Sequence, residues 1–129
     1  MDQTISAGDV IDGRFEILSM LGTGGMGSVF KARQKEFDRL VAVKTLDPSM
    51  VSDKEFFERF KREAKILSEL THPNICKFFS FGVLPTGLPY IVMEYVEGQN
   101  LHAILQDGAL GTQRSLDMAL QVCSAVSFA

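Results

Sequence analysis

Residues 21–44 read LGTGGMGSVFKARQKEFDRLVAVK, and the interpretation of the whole chain starts from them. The stretch opens with a G-x-G-x-x-G-x-V pattern, whose glycines are Gly22, Gly24 and Gly27, and ends at Lys44 in an apolar, β-branched run. Glycines allow a backbone to come close to a polyphosphate, and a fixed lysine supplies positive charge to hold it. The two features together predict binding of a nucleoside triphosphate and phosphoryl transfer.

The glycine pattern by itself has two other interpretations, a mobile hairpin and a dinucleotide-binding loop. A dinucleotide-binding loop runs from a strand into a helix and is followed by an acidic residue about 20 positions later. Residues 28–33 (SVFKAR) instead alternate in polarity as a strand does. The sequence therefore predicts a strand-to-strand turn and disfavours the dinucleotide site.

The composition of the chain limits which classes of protein it can belong to. The 129 residues suffice for one small domain, and the content of 46% hydrophobic and 22% charged residues is typical of a globular protein. The net charge of -3 predicts no nucleic-acid partner. No apolar run is long enough for a membrane span, and the first residues do not resemble a signal peptide. Cys76 and Cys123 lack metal-ligand spacing, so we expect two buried thiols in a reducing compartment and no metal site.

Hydrophobic periodicity predicts an α+β domain with the element order β-β-β-α-β-β-α-α. The predicted strands cover residues 15–21, 28–33, 40–46, 76–84 and 89–96. A helix follows the third strand, and Ser52 with Glu55 forms the S-x-x-E pattern of a capping box at its start. A short helix is predicted over residues 100–106 and a longer one from Ser115 onward, with an apolar stripe that needs a covering partner.

Lys44 and Glu63 are predicted to form an ion pair. On a strand, Lys44 shares a face with the small apolar residue Ala42. On the long helix, Glu63 falls on the apolar stripe between Phe60 and Leu67, where an unpaired carboxylate would be costly. The carboxylate therefore needs a cation, and Lys44 is the natural partner.

The run 90–96 (YIVMEYV) adds a weaker indication. It reads as a buried strand that ends before Gly98, and unpaired backbone groups at such a break can contact the edge of an adenine. Met93 would then stand at the back of the pocket. Without the glycine loop, Lys44 and Glu63, the same run would be an ordinary core strand.

From about Asp12 to its last residue, the chain resembles the amino-terminal part of the eukaryotic-like serine/threonine protein kinases of bacteria. The resemblance rests on the glycine loop, Lys44, REAKILSELTHPNI at 62–75 and YIVMEYVEG at 90–98. It implies a kinase small lobe over residues 13–96, with a five-stranded antiparallel sheet and one αC-type helix. Residues 1–12 would be a flexible lead-in, and residues 97–129 the hinge and the first two helices of the large lobe.

The resemblance also implies a role for each matching position. Lys44 would hold the α- and β-phosphates of ATP and pair with Glu63, which makes these two the catalytic residues of the set. Val29 and Ala42 would cover the adenine, Met93 would be the gatekeeper, and the hinge backbone would contact the adenine edge. The implied ATP-binding residues are Leu21, Gly22, Thr23, Gly24, Gly25, Met26, Gly27, Ser28, Val29, Ala42, Lys44, Met93, Glu94 and Val96.

The family's H-R-D-x-x-x-x-N and D-F-G motifs do not occur in the 129 residues. The resemblance therefore implies the ATP-binding part of a kinase domain, cut before its catalytic loop and inactive by itself. The kinase domain is expected in the cytoplasm, and a membrane anchor further along the parent protein stays an open alternative. Mg²⁺ and a protein substrate are expected only for the complete kinase. The alternative is a non-catalytic module that binds a nucleotide or docks on another kinase.

Overall fold

One antiparallel sheet and three helices make up the part of the chain that the computed structural model describes, residues 5–25 and 27–129. The sheet has six strands in the spatial order β1-β2-β3-β4-β6-β5. The strands are β1 (Val10–Ile11), β2 (Phe15–Thr23), β3 (Gly27–Gln34), β4 (Arg39–Leu46), β5 (Phe78–Val83) and β6 (Pro89–Glu94). The helices are α1 (Lys54–Glu69), α2 (Leu101–Gln106) and α3 (Thr112–Phe128), and a 3-10 turn covers Pro48–Met50.

The sixth strand is a difference from the sequence prediction, which gave five strands and assigned residues 1–12 to a loose lead-in. Val10 and Ile11 pair with β2, and the chain then turns through Asp12 and Gly13, both with positive φ. The Tyr90 hydroxyl donates a hydrogen bond to the Asp12 carboxylate and so ties this turn to β6. Two residues are too few to show a period of two, which explains why the pattern gave no signal.

Each face of the sheet carries its own apolar cluster. Val41 and Val43 of β4 lie on one face, in a fully buried cluster with residues of β2, β3 and β6. On the other face, Ile91 of β6 packs with Phe60 and Ala64 of α1. This alternation follows from the strand period of two, and it leaves α1 covering the face on which Lys44 lies.

The start of α1 differs from the predicted capping box. The N-cap is Asp53, not Ser52, and its carboxylate accepts a hydrogen bond from the Glu55 N–H at 3.0 Å. Asp53 has extended backbone angles and directly precedes Lys54, the first helical residue. Asp and Ser cap helices about equally well, so neighbouring candidates cannot be separated by residue type.

The last two helices were placed by periodicity to within three residues. Asn100 caps α2 by accepting a hydrogen bond from the Ala103 N–H, and α3 begins at Thr112 instead of Ser115. Most apolar side chains of α3 are exposed, which agrees with the predicted apolar stripe that needs a covering partner. Ala125 is the buried residue of this helix. Among the described residues, none of the helices is long and apolar enough to cross a membrane.

The prediction of buried thiols is wrong for this chain, because Cys76 and Cys123 are both free and exposed. Cys123 lies on α3, whose surroundings are largely open, and Cys76 lies in the segment between α1 and β5. Apolar neighbours in sequence predict burial only where another element packs on them, and that condition fails at both positions.

Candidate functional site

The glycine-rich stretch forms a tight hairpin between β2 and β3. The Gly24 N–H donates a hydrogen bond to the Gly27 carbonyl at 2.8 Å, and the Thr23 and Ser28 hydroxyls lie 3.2 Å apart. The loop thus connects two strands, as the sequence predicts, and does not enter a helix as a dinucleotide-binding loop does. Met26, a predicted site residue, lies outside the described residues.

The glycines of this hairpin serve two different purposes. A Cβ on Gly27 would lie 1.9 Å from the Thr45 carbonyl oxygen, so glycine is required there for β3 to pack on β4. At Gly22, Gly24 and Gly25 a Cβ would meet nothing within 4 Å, and none of the three has a positive φ. The described fold does not require glycine at these three positions, whereas a close ligand would.

Lys44 and Glu63 form the ion pair that the sequence predicts. Lys44 lies on β4 opposite Val29 of β3 and Ile91 of β6, and its Nζ donates a hydrogen bond to Glu63 Oε1 of α1 at 2.9 Å. The two side chains keep 32% and 42% of their surface exposed. An ion pair this exposed stabilises a fold by only about 0–1 kcal/mol, so stability is a weak reason for the pairing.

The hairpin and Lys44 line one open cleft of about 490 Å³. The cleft is lined by Gly22, Thr23, Gly24, Gly25 and Gly27 of the hairpin together with Val29 and Lys44. Backbone N–H groups and an ammonium are the donors that bind phosphate oxygens. The cleft can therefore hold an extended polyanion, with Glu63 keeping the ammonium in place.

Ala42 and Met93 continue the surface that begins at Val29 and Lys44. Ala42 is buried beside Lys44 on β4, and its register partner on β6 is Met93. Neither of them is among the residues that line the glycine cleft.

The two predicted hinge residues differ in their surroundings. The Glu94 N–H donates a hydrogen bond to the Lys77 carbonyl at 2.8 Å, so the carbonyl is the backbone group of Glu94 that is left for a ligand. Val96 is 63% exposed. Both residues line a second cavity of about 450 Å³ that faces α3, and neither lines the glycine cleft.

Lys31 and Lys77 contact the hinge and were missed by the sequence interpretation. The Lys31 ammonium lies 5.0 Å from the centre of the Tyr95 ring, and the Lys77 N–H donates to Glu94 Oε1 at 3.2 Å. Lys31 stands two residues after Val29 on the same strand face, so the strand period could have found it. The Lys77 contact joins two backbone segments and has no sequence signal.

Partial desolvation by neighbouring atoms raises the pKa of the Cys76 thiol although the residue as a whole is exposed, and the negative charge of Glu94 raises it further. The neutral thiol is the form that this environment favours. Cys76 is therefore a poor nucleophile in a neutral solution, and the site chemistry rests on the charged pair Lys44 and Glu63.

Comparison with known proteins agrees with this geometry. The model of the protein kinase domain family matches residues 15–129. Serine/threonine-protein kinase pkn3 of Myxococcus xanthus is 42% identical over 121 residues, and PrkC of Bacillus subtilis is 42% identical over 123. The crystal structure of the Mycobacterium tuberculosis PknI kinase domain superposes with a TM-score of 0.78 at 29% identity.

The matched regions differ in how much of each protein they include. They cover 93% of this chain for pkn3, 95% for PrkC and 97% for the PknI kinase domain. They cover 22% of pkn3, 19% of PrkC and 51% of the PknI kinase domain. The chain thus spans about a fifth of the curated relatives' length and half of the solved kinase domain.

Proposed function

The chain belongs to the protein kinase domain family, and we propose that it forms the ATP-binding part of a serine/threonine protein kinase. The observation that carries the proposal is the Lys44–Glu63 ion pair beside the glycine-lined cleft. Because an exposed ion pair contributes little to stability, phosphate binding by its ammonium is the better explanation for the pair.

In this proposal, the glycine cleft and the neighbouring residues of β4 and β6 bind different parts of the ATP molecule. Backbone N–H groups of the glycine hairpin and the Lys44 ammonium bind the phosphates, and Glu63 orients the ammonium. The Gly24 N–H is not one of these donors, because it is used in the hydrogen bond to the Gly27 carbonyl. Val29 and Ala42 cover one side of the adenine, and Met93 stands at its back. The carbonyl of Glu94 and the backbone of Val96 contact the adenine edge. The three glycines with open space around them support this arrangement, since the fold itself does not require them.

In the complete protein, the proposed activity is transfer of the ATP γ-phosphate to Ser or Thr hydroxyls of protein substrates, in the cytoplasm. Mg²⁺ would neutralise the phosphate charge during transfer, and the family holds it through the D-F-G Asp and the catalytic-loop Asn. Neither motif occurs in these 129 residues. We infer that this chain binds ATP through its own residues and does not transfer phosphate by itself.

Nucleotide binding tests the proposal directly. Calorimetric titration of the chain with AMP-PNP, an ATP analogue that is not hydrolysed, is expected to give one site. Lys44→Met removes a charge-assisted contact and is expected to weaken binding about 10- to 100-fold. Lys65→Met is the matched control, because Lys65 is exposed on the same helix as Glu63 and is expected to leave affinity unchanged.

Thermal unfolding by circular dichroism accompanies each titration and shows that the variants are folded. Equal affinities for the unsubstituted chain and the Lys44→Met variant would show that the lysine has another role. Equal losses in the Lys44→Met and Lys65→Met variants would show that net charge, and not the site, governs binding.

A further inference from the structure

Glu94 is joined to Lys77 at two points. Its N–H donates to the Lys77 carbonyl at 2.8 Å, and its Oε1 accepts a hydrogen bond from the Lys77 N–H at 3.2 Å. The first bond is backbone to backbone and continues the pairing of β5 with β6. The second depends on the side chain of Glu94, and it closes a ring between the end of β6 and the segment before β5.

The segment that Glu94 contacts is itself anchored to α3. The Asn74 side-chain amide donates to the Gln121 carbonyl at 3.0 Å, and His72 Nε2 lies 3.1 Å from the Ser124 hydroxyl. The Asn74 N–H donates to His72 Nδ1 at 3.0 Å, so Nε2 carries the proton and donates to Ser124. Lys77 therefore follows closely on two residues that are hydrogen-bonded to α3.

The residue after Glu94 is held from the opposite side. The Lys31 ammonium of β3 lies 5.0 Å from the centre of the Tyr95 ring, within the range of a cation–π contact. Val96 follows, and in the described part of the chain no backbone hydrogen bond involves it. The hinge is thus fixed at two consecutive residues directly before one whose backbone groups are open.

We propose that the Glu94 carboxylate is a positioning residue, which holds the hinge backbone through Lys77 so that residues 94–96 present a fixed edge to adenine. The inference rests on the proposed ATP site. The sequence predicts that Glu94 contributes to that site through its backbone alone, and the present inference adds a role for its side chain. The carboxylate acts through the Lys77 N–H and does not touch the nucleotide.

Binding of two probes tests this role. Glu94→Ala removes the side-chain acceptor and is expected to weaken AMP-PNP and adenosine by the same factor, about fivefold. Glu94→Gln keeps an oxygen acceptor and is expected to restore both affinities to within about twofold of the original. Glu97→Ala is the matched control, because Glu97 is an exposed carboxylate in the same segment.

The two probes separate this proposal from the ATP-site proposal. Lys44→Met is expected to weaken AMP-PNP and leave adenosine unchanged, because adenosine carries no phosphate. A loss confined to AMP-PNP in the Glu94→Ala variant, or a Glu94→Gln variant as weak as Glu94→Ala, would overturn the positioning role.

Amide hydrogen exchange of the nucleotide-free chain gives a readout that does not depend on binding. Glu94→Ala is expected to speed exchange at the amide of Lys77, while Glu94→Gln and Glu97→Ala leave it unchanged. Unchanged exchange in the Glu94→Ala variant contradicts the proposal even if ATP binds. Faster exchange in a chain that binds no nucleotide would refute the ATP site and leave the hinge contact standing.

Discussion

Tyr90 buries its ring in the sheet core while its hydroxyl donates a hydrogen bond to Asp12. The ring also packs edge-on against Phe15, with centroids 6.1 Å apart. Burial raises the pKa of Tyr90 strongly, and the hydrogen bond to Asp12 and the charge of Asp12 raise it further. The folded state therefore favours the protonated phenol more than the unfolded state does.

The sign of the pH effect follows from this difference. Below about pH 10 the phenol is protonated in both states, and its contribution to stability is complete. Above that pH the unfolded chain loses the proton first, so the free energy of unfolding falls as the pH rises. Tyr90→Phe has no ionisable group there and is expected to show a shallower loss of stability above about pH 10 in urea unfolding experiments.

A direct titration checks the same expectation. The chain has two tyrosines and no tryptophan, so Tyr95→Phe leaves Tyr90 as the single source of tyrosinate absorbance. The folded variant is expected to ionise at higher pH than the same variant in denaturant. Coincident titration curves for the folded and denatured samples would show that Tyr90 is not in the buried environment described here.

Single residues also show how far the glycine motif can be interpreted from sequence. The motif predicted the strand-to-strand hairpin, but it treats Gly22, Gly24 and Gly27 alike. The structure separates them, because Gly27 is required by the Thr45 carbonyl and the other two face open space. Only the packing of β3 on β4 distinguishes a glycine required by the fold from one that leaves room for a ligand.

At the scale of secondary-structure elements, α1 carries Glu63 and depends on its cap for a stable first turn. Asp53→Ala removes the acceptor for the Glu55 N–H and is expected to lower the free energy of unfolding by about 1 kcal/mol. Ser52→Ala is the matched control and is expected to change it by less than about 0.5 kcal/mol. Urea unfolding followed by circular dichroism measures both. A larger loss of stability in Ser52→Ala than in Asp53→Ala would show that Ser52 caps the helix, as the predicted capping box has it.

Elements with a clear period were predictable, and those fixed by tertiary contact were not. The alternation in β4 and the stripe on α1 predict that Lys44 pairs with Glu63, and the 2.9 Å contact confirms that pairing. The role of the pair in binding a nucleotide stays a prediction. The sequence does not predict strand β1, because it is only two residues long. It does not predict the exposure of Cys123 either, because that exposure depends on what packs on α3.

At the scale of the whole molecule, the described part of the chain contains an apolar helix face that little covers. Leu120 and Val126 of α3 are 69% and 68% exposed, and α3 is tied to the sheet through His72 and Asn74. Exposed apolar faces of this kind mark places where another protein surface packs.

The division between binding and transfer gives a prediction for the molecule as a whole. With radiolabelled ATP, Mg²⁺ and a serine-rich protein substrate, the 129-residue chain is expected to bind nucleotide and give no labelled product. The reason is that its sequence does not contain the motifs through which the family holds Mg²⁺ and accepts the hydroxyl proton. A longer protein containing this segment with H-R-D and D-F-G motifs is expected to label the substrate, and its Lys44→Met variant to lose most turnover. Label that appears with the 129-residue chain and disappears in its Lys44→Met variant would show that the segment transfers phosphate by itself. A longer protein that binds ATP without labelling any substrate would instead favour the non-catalytic binding module.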